Sequence, residues 1–301
     1  MTALAPLLDW FSQNRWDAFD FQRQTWQAYL DGKSGLVHAP TGSGKTLAVF
    51  GGPLAERRAE PGATGNRATK SGEPFTVLWL TPMRALANDT ADALRRAVEA
   101  MHLSWAVEIR TSDTSASIRT RQRKRLPTVL VTTPESLSVL ISYADAREKM
   151  NTLRCVIVDE WHELMSTKRG TQTELGLARL RQWNPGLRTW GLSATLGNLE
   201  EARDVLLGTD APGLMVEGNL DKQVRVESLI PDEIERFPWG GHMGLRMTQA
   251  VIDAIDAGAS SLVFLNTRFQ AEAWFKTLIE KRPDWIGRVA LHHGSLDRKI
   301  R

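Results

Sequence analysis

Two clusters in this sequence set side chains at spacings that chemistry requires. The first is Ala39-Pro40-Thr41-Gly42-Ser43-Gly44-Lys45-Thr46. Gly42 and Gly44 let the backbone curl so that successive N–H groups point inward, and a helix starting at Lys45 adds the partial positive charge of its N-terminus. Such a turn cradles phosphates. Thr41, Gly42, Ser43 and Gly44 would wrap the tail of a nucleotide, Lys45 would reach its β- and γ-phosphates, and the Thr46 hydroxyl would ligate Mg2+. The second cluster is Asp159-Glu160-Trp161-His162, which follows an apolar run over 153–158 broken only by Arg154. Asp159 would hold Mg2+, mostly through its water shell, while Glu160 orients or deprotonates an attacking water. A lone Asp-Glu is more often a pair of acidic caps on the helix that follows. Here the strand–helix repeats between Lys45 and Asp159 favour phosphate chemistry, with Lys45, Asp159 and Glu160 as its catalytic residues.

The elements that must position these residues are legible as apolar runs over 35–39, 75–80, 105–110, 127–132, 153–158 and 187–192, each followed by helical or turn residues. Strands alternating with helices, each with its motif at the strand's C-terminal end, predict an α/β fold with a doubly wound parallel sheet. Helices are expected over 21–30 and 85–100, and a short acidic one between 196 and 212. Residues 55–74 carry Gly, Pro and charge without apolar period and read as a surface loop. The run 224–229 alternates as an exposed strand does, and 237–244 is a Gly-rich linker. A second domain would begin with a helix over 245–257, followed by a buried strand over 261–265 and a helix to Glu280. The domain boundary falls between 213 and 220, giving domains of 1–215 and 216–301.

Composition sets the class. The 301 residues are 42% hydrophobic and 24% charged with a net charge of +3, ordinary for a globular chain and only weakly suggestive of a polyanionic partner. A single cysteine, Cys155, excludes an intramolecular disulfide framework and fits a reducing, cytoplasmic setting. Met1-Thr2-Ala3 lacks a basic leader, and no apolar stretch is long enough to span a membrane. The 11 tryptophans are scattered, and core packing is the reading for most of them.

The remaining polar stretches are ambiguous on their own. Thr81-Pro82-Met83-Arg84 is a strand-to-helix turn with a capping residue. Arg119, Arg121, Arg123, Lys124 and Arg125 either track phosphates or form a solvated helix face. Gln22 sits on an amphipathic helix. His292 and His293 lack partners at metal-ligand spacing.

Together, however, Ala-Pro-Thr-Gly-Ser-Gly-Lys-Thr, Asp-Glu-Trp-His, Thr133-Pro134-Glu135-Ser136-Leu137, Ser193-Ala194-Thr195 and His293-Gly294-Ser295-Leu296 resemble the motifs of a superfamily 2 DEXH-box helicase. They are similar to the Lhr (large helicase-related) family, and within it to the bacterial helicases associated with a DNA ligase. The resemblance runs from about residue 16 to 301. It implies two RecA-like domains, the first complete and the second truncated, binding ATP and Mg2+. Gln22 would read the adenine edge. Thr81, Pro82, Arg84, Thr133, Pro134, Glu135, Asn266, Thr267, Arg268, His293, Gly294 and Ser295 would hold the nucleic-acid backbone. His162, Ser193, Ala194 and Thr195 would couple hydrolysis to that grip. The resemblance further implies 3′-to-5′ movement on single-stranded or forked DNA, a role in DNA repair, and a ligase or nuclease as partner. Motifs V and VI, with the arginines that complete such an ATP site, are absent from the sequence. It therefore reads as an N-terminal fragment that binds ATP, hydrolyses it poorly, and exposes an unpaired sheet edge. An RNA helicase, a translocase subunit of a restriction or remodelling complex, and a non-catalytic nucleotide-dependent clamp are the competing readings.

Overall fold

The structure, a computed structural model, describes residues 3–60, 73–194, 197–208, 212–218, 225–230, 244–293 and 295–296. The chain divides into two compact units, 1–221 and 222–301.

The first unit is organised on a seven-stranded sheet of β1 (Ser34–His38), β2 (Val77–Leu80), β3 (Val107–Arg110), β4 (Val129–Thr132), β5 (Cys155–Val158), β6 (Arg188–Ser193) and β7 (Gly213–Glu217). The order is β3-β4-β2-β5-β6-β1-β7, and every pairing is parallel. Its helices are α1 (Ala5–Gln13), α2 (Asp20–Leu30), α3 (Lys45–Ala59), α4 (Arg84–Ala100), α5 (Ala116–Lys124), α6 (Pro134–Ile141), α7 (Ala146–Lys149), α8 (Trp161–Leu164), α9 (Lys168–Trp183) and α10 (Leu199–Leu207). Strands β2, β4 and β5 are buried at every position and rich in Val, Leu and Ile, as parallel strands covered on both faces must be. Val37, Trp79, Ile157 and Trp190 face the core shared with α1–α4. Leu36, Leu78, Val156 and Val158 face the core of α6, α8, α9 and α10. Trp26, Trp79, Trp161 and Trp190 are among the largest fully buried side chains, each removing ~150–250 Å² from water. The parallel register places the ends of β1, β2, β4, β5 and β6 along one edge, where the sequence motifs follow.

Helix α2 lies tightly on α3. The indole N–H of Trp26 donates to Leu47 O at 2.9 Å. Gly51 and Gly52 make room for Trp26 and Tyr29, since a Cβ on either glycine would meet those rings at under 3.0 Å. At the opposite edge of the sheet, Arg188 forks onto Glu56 at 2.8 and 3.1 Å and lies over the Tyr29 ring at 4.0 Å, tying β6 to α2 and α3.

Four sequence expectations change. Helix α3 continues through Ala59, shortening the expected loop at 55–74, because Glu56 and Arg57 in its last turns are anchored by Arg188 and Glu73; residues 61–72 lie outside the described ones. Strand β7 falls where the sequence predicts turn residues and a domain boundary. Its Val216 pairs with Val37, so the sheet extends across position 215. Residues 225–230 form no strand and are exposed throughout, Val226 at 87%; alternation alone does not make a strand without a ladder partner. Residues 261–265 likewise form no strand with any described residue, with Leu262 79% and Phe264 85% exposed.

The second unit's described residues form a 3-10 turn (Leu245–Met247) and the helices α11 (Thr248–Asp256) and α12 (Arg268–Lys281), then a 3-10 turn (Pro283–Trp285). Ile252, Trp274, Leu278 and Trp285 make its small core. Thr267 caps α12 by accepting from Gln270 N at 3.2 Å.

Candidate nucleotide site and nucleic-acid edge

The phosphate loop joins β1 to α3. Gly42 and Gly44 take φ of 79° and 82°, the left-handed region where a Cβ is penalised, which explains glycine at both positions. Lys45 is 8% exposed, and its ammonium donates to Ala39 O at 2.8 Å, linking the two ends of the loop. Burial lowers its pKa against the opposing pull of Glu160 and Asp159. The Ser43 hydroxyl is buried without a hydrogen-bond partner, a polar atom aimed at no protein group. Thr46 is partly buried in the first turn of α3. Ala39, which stands where the general loop pattern has glycine, is fully buried, and a Cβ on Gly218 would meet its methyl at 2.8 Å.

Gln22 is 2% exposed on α2. Its Nε2 donates to Gly44 O at 3.1 Å, and its Oε1 accepts from Phe19 N at 3.0 Å. The amide thus buttresses the phosphate loop as well as capping its own helix, a role the sequence reading of adenine contact did not contain.

Asp159 and Glu160 follow β5 directly. Asp159 Oδ2 accepts from the indole of Trp79 at 3.3 Å, and Oδ1 from Glu160 N at 3.0 Å. Burial, then the Glu160 charge, raises the Asp159 pKa to about 6, against those two bonds and Lys45. Glu160 itself adopts φ 44°, ψ 50°, a left-handed conformation at a non-glycine residue that turns the chain from β5 into α8. Its Oε2 lies 3.5 Å from His162 Nδ1, and the same nitrogen is 3.2 Å from Ser193 Oγ at the end of β6. The structure therefore brings together Glu160, His162 and Ser193. Ala194 follows, and Thr195 lies outside the described residues.

No group of three or more His, Cys, Asp or Glu among the described residues could hold a metal unaided. That donor set fits Mg2+, which takes one or two protein ligands and fills its shell with phosphate oxygens and water. The desolvated Asp159 carboxylate and the Thr46 hydroxyl are the residues that would hold it.

Along the same edge, Thr81 is fully buried, with its hydroxyl 3.4 Å from Met83 N, and Pro82 is buried beside it. Arg84 is exposed and held by Ser112 Oγ at 2.8 Å and Asp113 at 3.0 Å. Thr133 precedes Pro134, the first residue of α6. Glu135 is paired with Arg169 at 2.5 and 3.3 Å, so its carboxylate is already occupied. The basic run on α5 is largely consumed by the protein: Arg121 pairs with Glu108 at 2.9 Å, Arg123 with Asp145 at 2.6 Å, and Arg125 reaches Glu73 O at 3.3 Å. In the second unit, Asn266 is exposed and Arg268 bonds to Ser295 Oγ. His293 Nδ1 accepts from Ser295 N at 3.3 Å, and Gly294 lies outside the described residues. Sequence reasoning did not single out Trp79 or Arg169 individually. Trp79 has the same strand face as Asp159 as its only signal, and Arg169 only its place in the first turn of α9.

The comparisons with known proteins bear on this geometry. The family model described as "DEAD/DEAH box helicase" matches residues 19–202, and the chain belongs to that family. Within it, the chain is similar to Lhr proteins. It is 31% identical to "ATP-dependent helicase Lhr-Core protein 2" of Thermococcus barophilus, over 98% of this chain and 36% of that protein. It is 30% identical to "Lhr helicase/uracil glycosylase" of Escherichia coli, over 88% of this chain and 19% of that protein. The solved Mycobacterium smegmatis helicase Lhr, bound to ssDNA and AMP-PNP, superposes with a TM-score of 0.77 at 32% identity, covering 99% of this chain and 40% of that one. The fold is accordingly RecA-like. The chain spans about a third of the length of its Lhr-Core relatives.

Proposed function

We propose that this chain is the nucleotide-binding motor portion of an ATP-dependent DNA helicase or translocase of the Lhr type. The observation that carries the reading is the convergence of three adjacent strand ends: the phosphate loop after β1, Asp159-Glu160 after β5, and Ser193 at the end of β6 between them, with His162 joining the last two. Lys45 and the N–H groups of the loop receive the phosphates. Glu160 holds the attacking water, and Asp159 and Thr46 hold Mg2+. When bound, the ion neutralises charge on the transferring phosphoryl group. In the first unit the exposed Arg84, beside strand ends shaped by the buried Thr81 and Thr133, contacts single-stranded DNA, and in the second unit Asn266, Thr267, Arg268, His293 and Ser295 have the same role. The M. smegmatis relative's ssDNA supports DNA over RNA. Movement in the 3′-to-5′ direction, work in DNA repair beside a ligase or nuclease, and a cytoplasmic setting belong to the same proposal. No described helix is long and apolar enough to cross a membrane.

Among the described residues, the bonds and ion pairs of Lys45, Asp159 and Glu160 involve no arginine. An arginine on the transferring phosphate is worth ~10³–10⁵ in rate, so turnover by these residues alone is slow. The test is binding of a fluorescent ATP analogue with Mg2+, with turnover followed with and without single-stranded DNA or RNA. The unaltered chain is expected to bind and Lys45→Ala to lose binding. Glu160→Gln is expected to bind normally while residual turnover falls by ~10²-fold or more. A chain that binds no nucleotide, or that responds to RNA and not to DNA, overturns the reading.

A further inference from the structure

We propose that Trp79 is a positioning residue that orients Asp159 toward the divalent cation of the bound nucleotide. The inference rests on the nucleotide reading of the site and adds to it a residue of β2, two elements beyond the phosphate loop in sequence.

The argument begins with what can fix a carboxylate. The terminal torsion of an aspartate is broad and two-fold, so backbone placement alone leaves the plane of its oxygens undetermined. At Asp159 each oxygen is held by one donor, and the donors come from different elements. The Glu160 N–H, on Oδ1, is a backbone group that any sequence would supply. The Trp79 indole N–H, on Oδ2 at 3.3 Å, is a side-chain donor that exists only because position 79 is tryptophan. It arrives from β2, the strand paired to β5 with Leu80 opposite Val158, and Asp159 N donates to Leu80 O at 2.8 Å. Donor and acceptor are therefore fixed to one rigid ladder. Trp79 is 0% exposed and packed in the core with Val77 and Ile157, so its ring cannot swing away. With one lone pair on each oxygen engaged, the remaining ones are left for the cation's shell. Residues that hold a metal's carboxylate or imidazole ligands in this way set their orientation and basicity.

The bond is not a generic fate of buried tryptophan here. Trp190 is equally buried on the same side of the sheet, two strands along, and its indole N–H has no partner. The Trp105 N–H is also unpartnered. Trp190 thus provides an internal control, with the same chemistry and the same burial but no contact with the site.

The experiment measures binding of a fluorescent ATP analogue as Mg2+ is raised, and again in EDTA, for the unaltered chain, Trp79→Phe and Trp190→Phe. Phenylalanine keeps most of the apolar volume and removes the N–H. Trp79→Phe is expected to raise the Mg2+ concentration at half-effect by about tenfold, with affinity in EDTA unchanged. Trp190→Phe is expected to leave the Mg2+ requirement unchanged, whatever it does to the melting temperature. Equal shifts in both variants, or none in Trp79→Phe, overturn the proposal. Should Trp79→Phe not fold, the indole N–H resonances of the 15N-labelled unaltered chain answer the question. Mg2+ added to the nucleotide complex shifts the resonance that Asp159→Asn also shifts, and no responding indole overturns the proposal. An unaltered chain that binds no nucleotide defeats the parent reading and is distinguishable from both results.

Discussion

Replacing Gly51 by alanine sets two effects of opposite sign against each other, and the structure decides between them. In an open helix the change would help by roughly 0.8–1 kcal/mol, because glycine is the poorer helix former. At position 51 the added Cβ would sit 2.3 Å from Trp26 Nε1 and 2.8 Å from two further ring atoms. Those distances cannot stand, so something must move. Trp26 is fully buried and its N–H is committed to Leu47 O at 2.9 Å, so the ring gives way only by breaking that bond or by carrying α2 outward. Overpacking costs ~1–3 kcal/mol, and an indole N–H left buried without a partner costs a further ~1–3 kcal/mol. Set against the propensity gain, the net loss is about 1–5 kcal/mol. That corresponds to a fall of roughly 2–20 °C in the melting temperature of a unit this size. Urea unfolding followed by circular dichroism measures it directly. Gly186→Ala is the control, since nothing lies within 4 Å of a Cβ there. Because α2 carries Gln22 beneath Gly44, Gly51→Ala should also weaken nucleotide binding, and Gly186→Ala should not. A Gly51→Ala chain as stable as the unaltered one would refute the steric argument and leave propensity as the stronger term.

Two further outcomes follow from the site. Burial raises the Asp159 pKa to about 6, so the folded chain holds that proton more firmly than the unfolded chain. Stability contributed by this group is therefore lost as pH rises from about 4 through 6, at most about 3 kcal/mol. Asp159→Asn should raise the metal-free melting temperature at pH 7 and show no advantage near pH 4; an advantage independent of pH would sink the burial argument. Ser193→Ala removes the hydroxyl beside His162 but keeps the bond from Ala39 N to Ser193 O at 3.1 Å. Nucleotide affinity should hold within about twofold while stimulation of turnover by single-stranded DNA falls, and a matching loss of affinity would assign the hydroxyl to the loop instead.

What the sequence made legible was whatever depends on local pattern. The phosphate loop, Asp159-Glu160 and six of the strands announce themselves through short apolar runs ending in glycine, hydroxyl or carboxylate residues. Strand β7 was not legible because its five residues begin at a glycine beside Pro212 and become a strand only by pairing with β1, far away in the chain. The converse holds at 261–265, an apolar run with strand composition that pairs with nothing among the described residues. Side-chain partnerships were hidden for the same reason. Trp79 meets Asp159 only because β2 and β5 share a register, and three members of the basic run, Arg121, Arg123 and Arg125, are already bonded to Glu108, Asp145 and Glu73 O. A charge run in sequence does not reveal which of its members are already paired.

The placement of β6 gives the site its logic. It lies between β1, which carries the phosphate loop, and β5, which carries the carboxylates. The backbone oxygen of Ser193 accepts from Ala39 N, the first residue of the loop, while its hydroxyl meets His162, whose ring lies 3.5 Å from Glu160. One residue thus touches both halves of the site, by backbone on one side and by side chain on the other. The backbone link is part of a continuous parallel ladder and moves only with the sheet. The side-chain link runs through one hydroxyl and one imidazole, can rearrange without disturbing the ladder, and joins Glu160 at its left-handed backbone turn. A displacement of the residues after Ser193 can therefore reach Glu160 through His162 while the phosphate loop stays in place. On the proposed reading, such an arrangement would keep nucleotide grip and water positioning separately adjustable, so that a second ligand at the same sheet edge could govern hydrolysis without releasing the nucleotide.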